Sequence, residues 1–514
     1  MLFNGNIAFV NFKIIANISI ILHINPLLRQ KRIGCNTMKA KCHSSTPMVT
    51  FAKCRFFCIF VSSTLINAFH CMQPNETHYS NKDYKRLGDR IRNKPHDIAP
   101  DDLLMLQQLR MSYKEPLATI FKAIERLAHN VDKDCICTYR VKRIESIVSK
   151  LIRFPEMQVN RAEDIAGCRC ILSSTEKVYV LYNRILKNQS RLPFLIKGVI
   201  HDYIEKPKES GYRSIHLNAV LKDGDNRRVE IQLRALEHHN WATLVEITDL
   251  LFGAKLKEYG RQGNEDLFEF HRLLARNEDA LTKKDKYKIA DVSIKYNYIT
   301  TIGDVFARNY LDVRAQWNEM KLQQKHFFLI STGSDGTPDF LGYLLFEEAE
   351  KAYFERFINN DENRNIVLTH LQRADFTKIS IAYSNYFLTF NNTMNRVLLY
   401  LSEAVVNAYK QNKVQAFSRY FQSFLDIVTF WVDRQMLELR SFKLDKNVKN
   451  SLLMRTEWTN SIKSSINTMH YIMADMRRRI RFDVMHIAPY VVMRKKLHRF
   501  RLDVVDKQNG HHKG

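Results

Sequence analysis

Apolar residues recur at three- and four-residue spacing between positions 84 and 130: Leu103, Leu104, Leu106 and Leu109, then Leu117, Ile120, Phe121, Ile124 and Leu127. That period places them on one stripe of a helix. Pro116 is expected to separate two such helices, because its ring interrupts a helix interior. A third helix is expected from Val141. Val141, Ile144, Ile147, Val148 and Leu151 would make its apolar face, with Lys142, Ser146 and Lys150 on another face, until Pro155 ends it.

Between positions 164 and 252 the pattern changes to strands alternating with helices. Stretches 168–172, 199–204, 215–221 and 227–234 read as strands, so the expected class is α/β (α+β) with a mixed sheet flanked by helices. Lys222-Asp223-Gly224-Asp225-Asn226 is a strong turn signal and predicts an antiparallel hairpin. If Leu221 pairs with Arg227, then Leu217, Ala219, Val229 and Ile231 share the core face. His216, Asn218, Glu230 and Gln232 then share the opposite one, a concentration of polar groups that suggests a site.

A second α/β pattern starts at His326, with a strand, a Gly333-Ser334-Asp335-Gly336 turn, a strand, a helix to about 359 and a strand at 366–371. It is expected to form a small separate domain at 320–392. The remainder, 393–505, reads as helical, with basic clusters at Arg477, Arg478, Arg479 and Arg481 and at Arg494, Lys495 and Lys496.

At 514 residues the chain exceeds one hydrophobic core, and its 45% hydrophobic and 11% aromatic content excludes disordered and fibrous classes. The net charge of +25 implies attraction to polyanions, which include nucleotides, RNA, DNA and anionic membranes. Five of nine cysteines lie in the first 71 residues, and the others form two Cys-x-Cys pairs, Cys135/Cys137 and Cys168/Cys170. Without a paired CxxC spacing, reduced thiols are expected rather than a zinc site. The apolar stretches at 7–24 and 56–70 are too polar or too short for membrane spans, and no cleavage site follows the first. A cytoplasmic protein with no membrane association is expected. Met38, Met48 and Met72 each offer an alternative start; a start at Met72 would leave 1–71 untranslated.

The chemistry concentrates in Asp202-Tyr203-Ile204-Glu205-Lys206-Pro207-Lys208-Glu209-Ser210-Gly211-Tyr212-Arg213-Ser214-Ile215-His216, followed by Val229-Glu230-Ile231-Gln232-Leu233-Arg234. Upstream, Arg140-Val141-Lys142-Arg143 and Asp164-Ile165-Ala166-Gly167-Cys168-Arg169 complete an ordered set. The set resembles the RelA/SpoT synthetase family over residues 85–275. The continuation Trp241-Ala242-Thr243-Leu244-Val245-Glu246 resembles its single-domain small alarmone synthetases. A preceding hydrolase domain is not expected, since His96-Asp97 stands without the further ligands it would need.

The resemblance implies a GTP pyrophosphokinase that moves a pyrophosphoryl group from ATP to the 3′-hydroxyl of GDP or GTP with Mg2+, as a homo-oligomer. Such a transfer requires charge neutralisation, a metal ion and a group near the attacking oxygen. Lys142, Ser146, Lys150 and Arg169 are candidates for ATP phosphates, and Arg140 for stacking on adenine. Asp164 and Glu230 suit magnesium, and Glu230 would also act as the base. Tyr212 is the counterpart of the guanine-stacking tyrosine, with Lys208, Arg213, His216 and Gln232 about the acceptor. Without the resemblance, Lys150 and Arg169 read equally as solvated surface, Tyr212 as a packing residue, and His238 and His239 as helix surface. His201 and Ala235 stand where some members carry Lys and Thr. Two alternatives remain: pyrophosphorylation of the tRNA 3′ end, which the net charge would suit, or an inactive fold kept as an RNA- or nucleotide-binding regulator.

Overall fold

The computed structural model describes residues 79–304, 325–332, 338–358, 365–371, 390–441 and 450–508, except positions 96 and 225. The segment 1–71, the Gly333 to Gly336 turn and His96 therefore lie outside the described residues. Three helices open the described chain, α1 (Asn81–Asn93), α2 (Pro100–Met111) and α3 (Lys114–Val131). Pro116 falls in the first turn of α3, where its missing N–H costs no helical bond; the break before it falls at Ser112 and Tyr113.

The helix expected from Val141 begins later. Val141 closes a strand, β1 (Ile136–Val141), and the helix is α4 (Ile144–Arg153). Ile136, Cys137, Thr138, Tyr139 and Val141 are buried and only Arg140 is exposed, as in a strand covered on both faces. There follow β2 (Ala166–Leu172), α5 (Thr175–Lys187), β3 (Phe194–Ile196), β4 (His201–Asp202), β5 (Ile215–Leu221), β6 (Val229–Ala235) and α6 (Leu236–Phe252). The strand expected at 199–204 is reduced to the two residues of β4.

The hairpin forms in the expected register. His216 opposes Gln232, Leu217 opposes Ile231 and Asn218 opposes Glu230. Leu217, Ala219, Val229 and Ile231 are fully buried, which fixes the register, because a one-residue slip would turn all four outward. β6 pairs parallel with β2, and β2 antiparallel with β1.

After α7 (Leu256–Tyr259), α8 (Glu265–Leu274) and α9 (Lys283–Lys295) come β7 (Phe327–Thr332), β8 (Pro338–Tyr343), α10 (Phe346–Ile358) and β9 (Asn365–His370). This unit was expected to stand apart, but its strands join the same sheet. β9 pairs antiparallel with β1 through Cys137↔His370, Thr138↔Thr369 and Tyr139↔Leu368. The result is a nine-stranded sheet of order β3-β5-β6-β2-β1-β9-β7-β8, with β4 on β5. Burial supplies the reason: Leu329, Tyr353 and Leu368 share one core with Phe121, Tyr139 and Ile231.

The helices α11 (Phe390–Lys410), α12 (Val414–Ser441), α13 (Asn450–Arg479) and α14 (Val484–Gln508) build a second core together with α6, α8 and α9. Phe270, Tyr298, Phe424, Trp431, Met469 and Leu497 are at most 1% exposed within it. The basic helical region thus completes the core of the helices that follow β6. His239, expected on a helix surface, is buried.

Candidate active site

Strand pairing alone aligns the site. Arg140, Gly167, Glu230 and Asn218 form one row across β1, β2, β6 and β5, and Thr138, Arg169, Gln232 and His216 form the next. Both rows lie on the face opposite the apolar core, since alternate residues of a strand point to opposite sides. Gly167 lets the backbones of β2 and β6 come close beside Glu230: a Cβ there would meet the Glu230 carbonyl oxygen at 2.9 Å.

Glu230 is held at both oxygens. His216 Nδ1 lies 2.7 Å from Oε1, and Gln232 Nε2 donates to Oε2 at 2.7 Å. Burial pushes its carboxyl up, but His216 and Gln232 outweigh burial and leave it below its ordinary value. Asp164 opposes that ionisation, so the two carboxylates are within electrostatic reach. Asp164 sits just before β2, where Lys142 Nζ meets Oδ2 at 2.6 Å and Lys150 Nζ meets Oδ1 at 2.9 Å. Burial raises the Asp164 carboxyl, and the two lysines more than offset it. Burial likewise pushes the Lys142 ammonium down, against the pull of Asp164. Its backbone is fixed by Arg110, whose Nε donates to the Lys142 carbonyl at 2.9 Å. Ser146 is half-buried on α4.

The acceptor candidates surround an aromatic group. Tyr212 Oη lies 2.8 Å from His216 Nε2 and receives a hydrogen bond from Arg234 Nη2 at 2.5 Å. Tyr203 meets the Tyr212 and His216 rings edge-on, and Lys208 Nζ stands 4.5 Å from the Tyr203 centroid. Burial lowers the Lys208 ammonium, with Glu230 acting in the opposite sense. Gly211 has φ +94°, and a Cβ there would fall 2.3 Å from that of Ala275, so the turn before Tyr212 admits only glycine. Arg213 is turned toward α8 and donates through Nη1 to the Ala275 carbonyl at 2.6 Å.

Several contributors were not singled out from sequence. Arg234 shares the parity of Glu230 and Gln232 on β6, and alternation alone could have found it; it donates to Gln232 Oε1 at 3.0 Å. Arg169 donates to the same oxygen at 3.3 Å. Burial, then Arg234 and Arg140, push the Arg169 guanidinium down to about 9. Glu246 ends the Trp241 to Glu246 segment. Burial pushes its carboxyl up, but Lys257, Arg140 and Arg169 hold it far below the carboxylate range. Glu163 binds Asn218 Nδ2 at 2.9 Å and pairs with Arg228, bracing the segment that carries Asp164. Nothing in the hydrophobic pattern marks Glu163 or Glu246.

Chemically, this face offers two ionised carboxylates close enough to repel, ringed by Arg140, Lys142, Lys150, Arg169 and Lys208. The carboxylate pair fits a hard divalent cation, and the cations fit the phosphates of a nucleotide.

Residues 139–248 match the model described as "Region found in RelA / SpoT proteins". It is 39% identical over 116 residues to GTP pyrophosphokinase YwaC of Bacillus subtilis (strain 168), covering 20% of this chain and 53% of that one. It is 30% identical over 128 residues to GTP pyrophosphokinase YjbM of the same organism, covering 24% and 59%. The chain thus spans between half and two thirds of the length of these two relatives. The crystal structure of small alarmone synthetase 1 from Bacillus subtilis aligns with 38% of this chain and 97% of its own, at 23% identity and a TM-score of 0.28. No helix among the described residues is long and apolar enough to cross a membrane.

Proposed function

We propose that this protein is an ATP-dependent 3′-pyrophosphotransferase that forms the guanosine alarmone (p)ppGpp from GDP or GTP and releases AMP. The observation that carries the reading is Glu230: ionised, held at both oxygens, and set beside Gly167 within reach of Asp164.

In the proposed reaction the acceptor 3′-oxygen bonds to the β-phosphorus of ATP. The bond from that phosphorus to the α,β-bridging oxygen breaks, and AMP leaves with the electron pair. The hydroxyl proton passes to Glu230. A carboxylate with a lowered pKa is a weak base, so Glu230 mainly orients the hydroxyl and accepts the proton as the new P–O bond forms. His216 and Gln232 keep its two oxygens in place. Asp164 and Glu230 would hold Mg2+, which would neutralise phosphate charge and polarise the transferred group.

Lys142, Lys150, Ser146 and Arg169 are assigned to the ATP phosphates, and exposed Arg140 to the adenine face. Tyr212 is assigned to stack on guanine, Lys208 and His216 to contact the acceptor phosphates, and Gln232 to bridge Glu230 and Arg169. Arg213 acts from behind by anchoring the Tyr212 loop on α8.

The test is transfer of label from γ-labelled ATP by the full chain with Mg2+, offering GDP, GTP and deacylated tRNA separately, with Glu230→Gln as control. Label on GDP or GTP supports the proposal. Label on tRNA moves the acceptor to RNA, and no Glu230-dependent transfer to any acceptor leaves a binding role.

A further inference from the structure

The face of the sheet that points away from Glu230 gathers a second set of reactive side chains. Cys170, Cys137 and His370 occupy one register row across β2, β1 and β9. Cys135 lies two residues before Cys137, and His129 comes from the last turn of α3. All three thiols and His129 are buried. Cys135 Sγ is 3.2 Å from His129 Nδ1 and 3.9 Å from Cys137 Sγ, and Cys137 Sγ is 3.6 Å from Cys170 Sγ. On the other side of the imidazole, His129 Nε2 meets His370 Nδ1 at 3.0 Å, and Glu125 pairs with His370.

We propose that His129 Nδ1, Cys135 Sγ and Cys137 Sγ, whose donor atoms all lie within 4.8 Å of one another, bind a zinc-class divalent ion. Zn–S bonds of about 2.3 Å at a tetrahedral angle put two sulfurs about 3.8 Å apart, and Cys135 Sγ and Cys137 Sγ are 3.9 Å apart. Donor type agrees as well: thiolate with imidazole selects zinc over magnesium or calcium. With Nδ1 on the metal, His129 Nε2–H is left to donate to His370 Nδ1, which orients the imidazole so that Nδ1 faces the sulfurs, the outer support that metal-bound histidines commonly have. Binding would release the thiol protons to solvent and form metal–sulfur bonds, with no change in oxidation state.

Such an ion would tie α3 to β1, and through His370 would reach β9. The CxxC spacing that announces most zinc sites is missing because these ligands come from the start of one strand and the end of a helix rather than from one knuckle.

The experiment compares zinc content, by mass spectrometry of the full chain purified in reductant without chelator, between wild type and the Cys135→Ser/Cys137→Ser double variant. The five cysteines before residue 72 are common to both, so their contribution cancels. Wild type should carry one more equivalent per chain than the double variant, and cobalt should give thiolate charge-transfer and tetrahedral d–d bands that the variant loses. His370→Gln should keep the sulfur ligands and weaken zinc about 10-fold or more. Equal zinc in wild type and double variant would overturn the site, as would a Cys137–Cys170 disulfide in the reduced-purified protein. If the double variant does not fold, alkylation of wild type mapped peptide by peptide decides. Cys135 labelling should rise at least tenfold after chelation, and unchanged labelling refutes the site.

Discussion

At the scale of single residues, Glu230 and Tyr212 carry the most testable claims. Glu230→Gln keeps shape and hydrogen-bonding capacity but removes the charge. It should lower the transfer rate by about 10^2 to 10^4-fold with little change in KM, and a variant with wild-type turnover would remove Glu230 from the reaction. The pH dependence has a definite sign. A carboxyl whose folded pKa lies below its unfolded value of about 4.3 contributes stability above that value and loses it as pH falls through the folded one. The wild-type midpoint of denaturation should therefore drop toward that of Glu230→Gln as pH falls below about 4, and stay parallel to it near neutrality. Tyr212 separates ring from hydroxyl. Tyr212→Ala should raise the acceptor KM about tenfold, in keeping with base–aromatic stacking of about 1–3 kcal/mol. Tyr212→Phe, which loses only the bonds to His216 and Arg234, should raise it less; equal effects would mean that the ring does not stack.

At the scale of elements, the hairpin was legible because its evidence is local. A five-residue turn and alternating side chains suffice to pair Asn218 with Glu230. β1 was hidden because Val141 fits both periods: it continues the alternation of Cys137 and Tyr139 and also heads the helical stripe of Ile144 and Ile147. The place of β9 was not legible, because pairing between Leu368 and Tyr139 joins segments more than two hundred residues apart, and no local pattern encodes it. The same limit applies to Glu246 and Glu163, whose partners come from other elements. One local rule remains strict, at the turn before Tyr212. Gly211→Ala forces both a left-handed backbone and a 2.3 Å approach to Ala275. It should cost about 1–3 kcal/mol, read as a fall in the denaturation midpoint, together with weaker acceptor binding. A variant as stable as wild type would show that the loop and α8 part readily.

At the scale of the whole molecule, the regions after the matched segment 139–248 grip the site-bearing half of the chain at two different places. The Val141 amide donates to the hydroxyl of buried Tyr353, from α10, at 2.7 Å, just beyond the last β1–β9 pair and between Arg140 and Lys142. At the other side, Arg396 of α11 donates to the Leu274 carbonyl at 2.8 Å and to that of Arg276 at 3.2 Å, on either side of the Ala275 carbonyl that receives Arg213. The end of α8 therefore joins the C-terminal helices to the loop of Tyr212. Because the contacts fall on opposite halves of the proposed site, they predict separable effects. Tyr353→Phe leaves a buried N–H unpaired and Arg396→Ala removes two charge-assisted bonds, each costing about 1–3 kcal/mol. Tyr353→Phe should raise the KM for ATP more than that for GDP or GTP, and Arg396→Ala should do the reverse. Steady-state kinetics varying each substrate in turn would decide. If both variants lost stability equally and moved both KM values together, the C-terminal regions would act as ballast for the fold, not as separate supports for the two halves of the site.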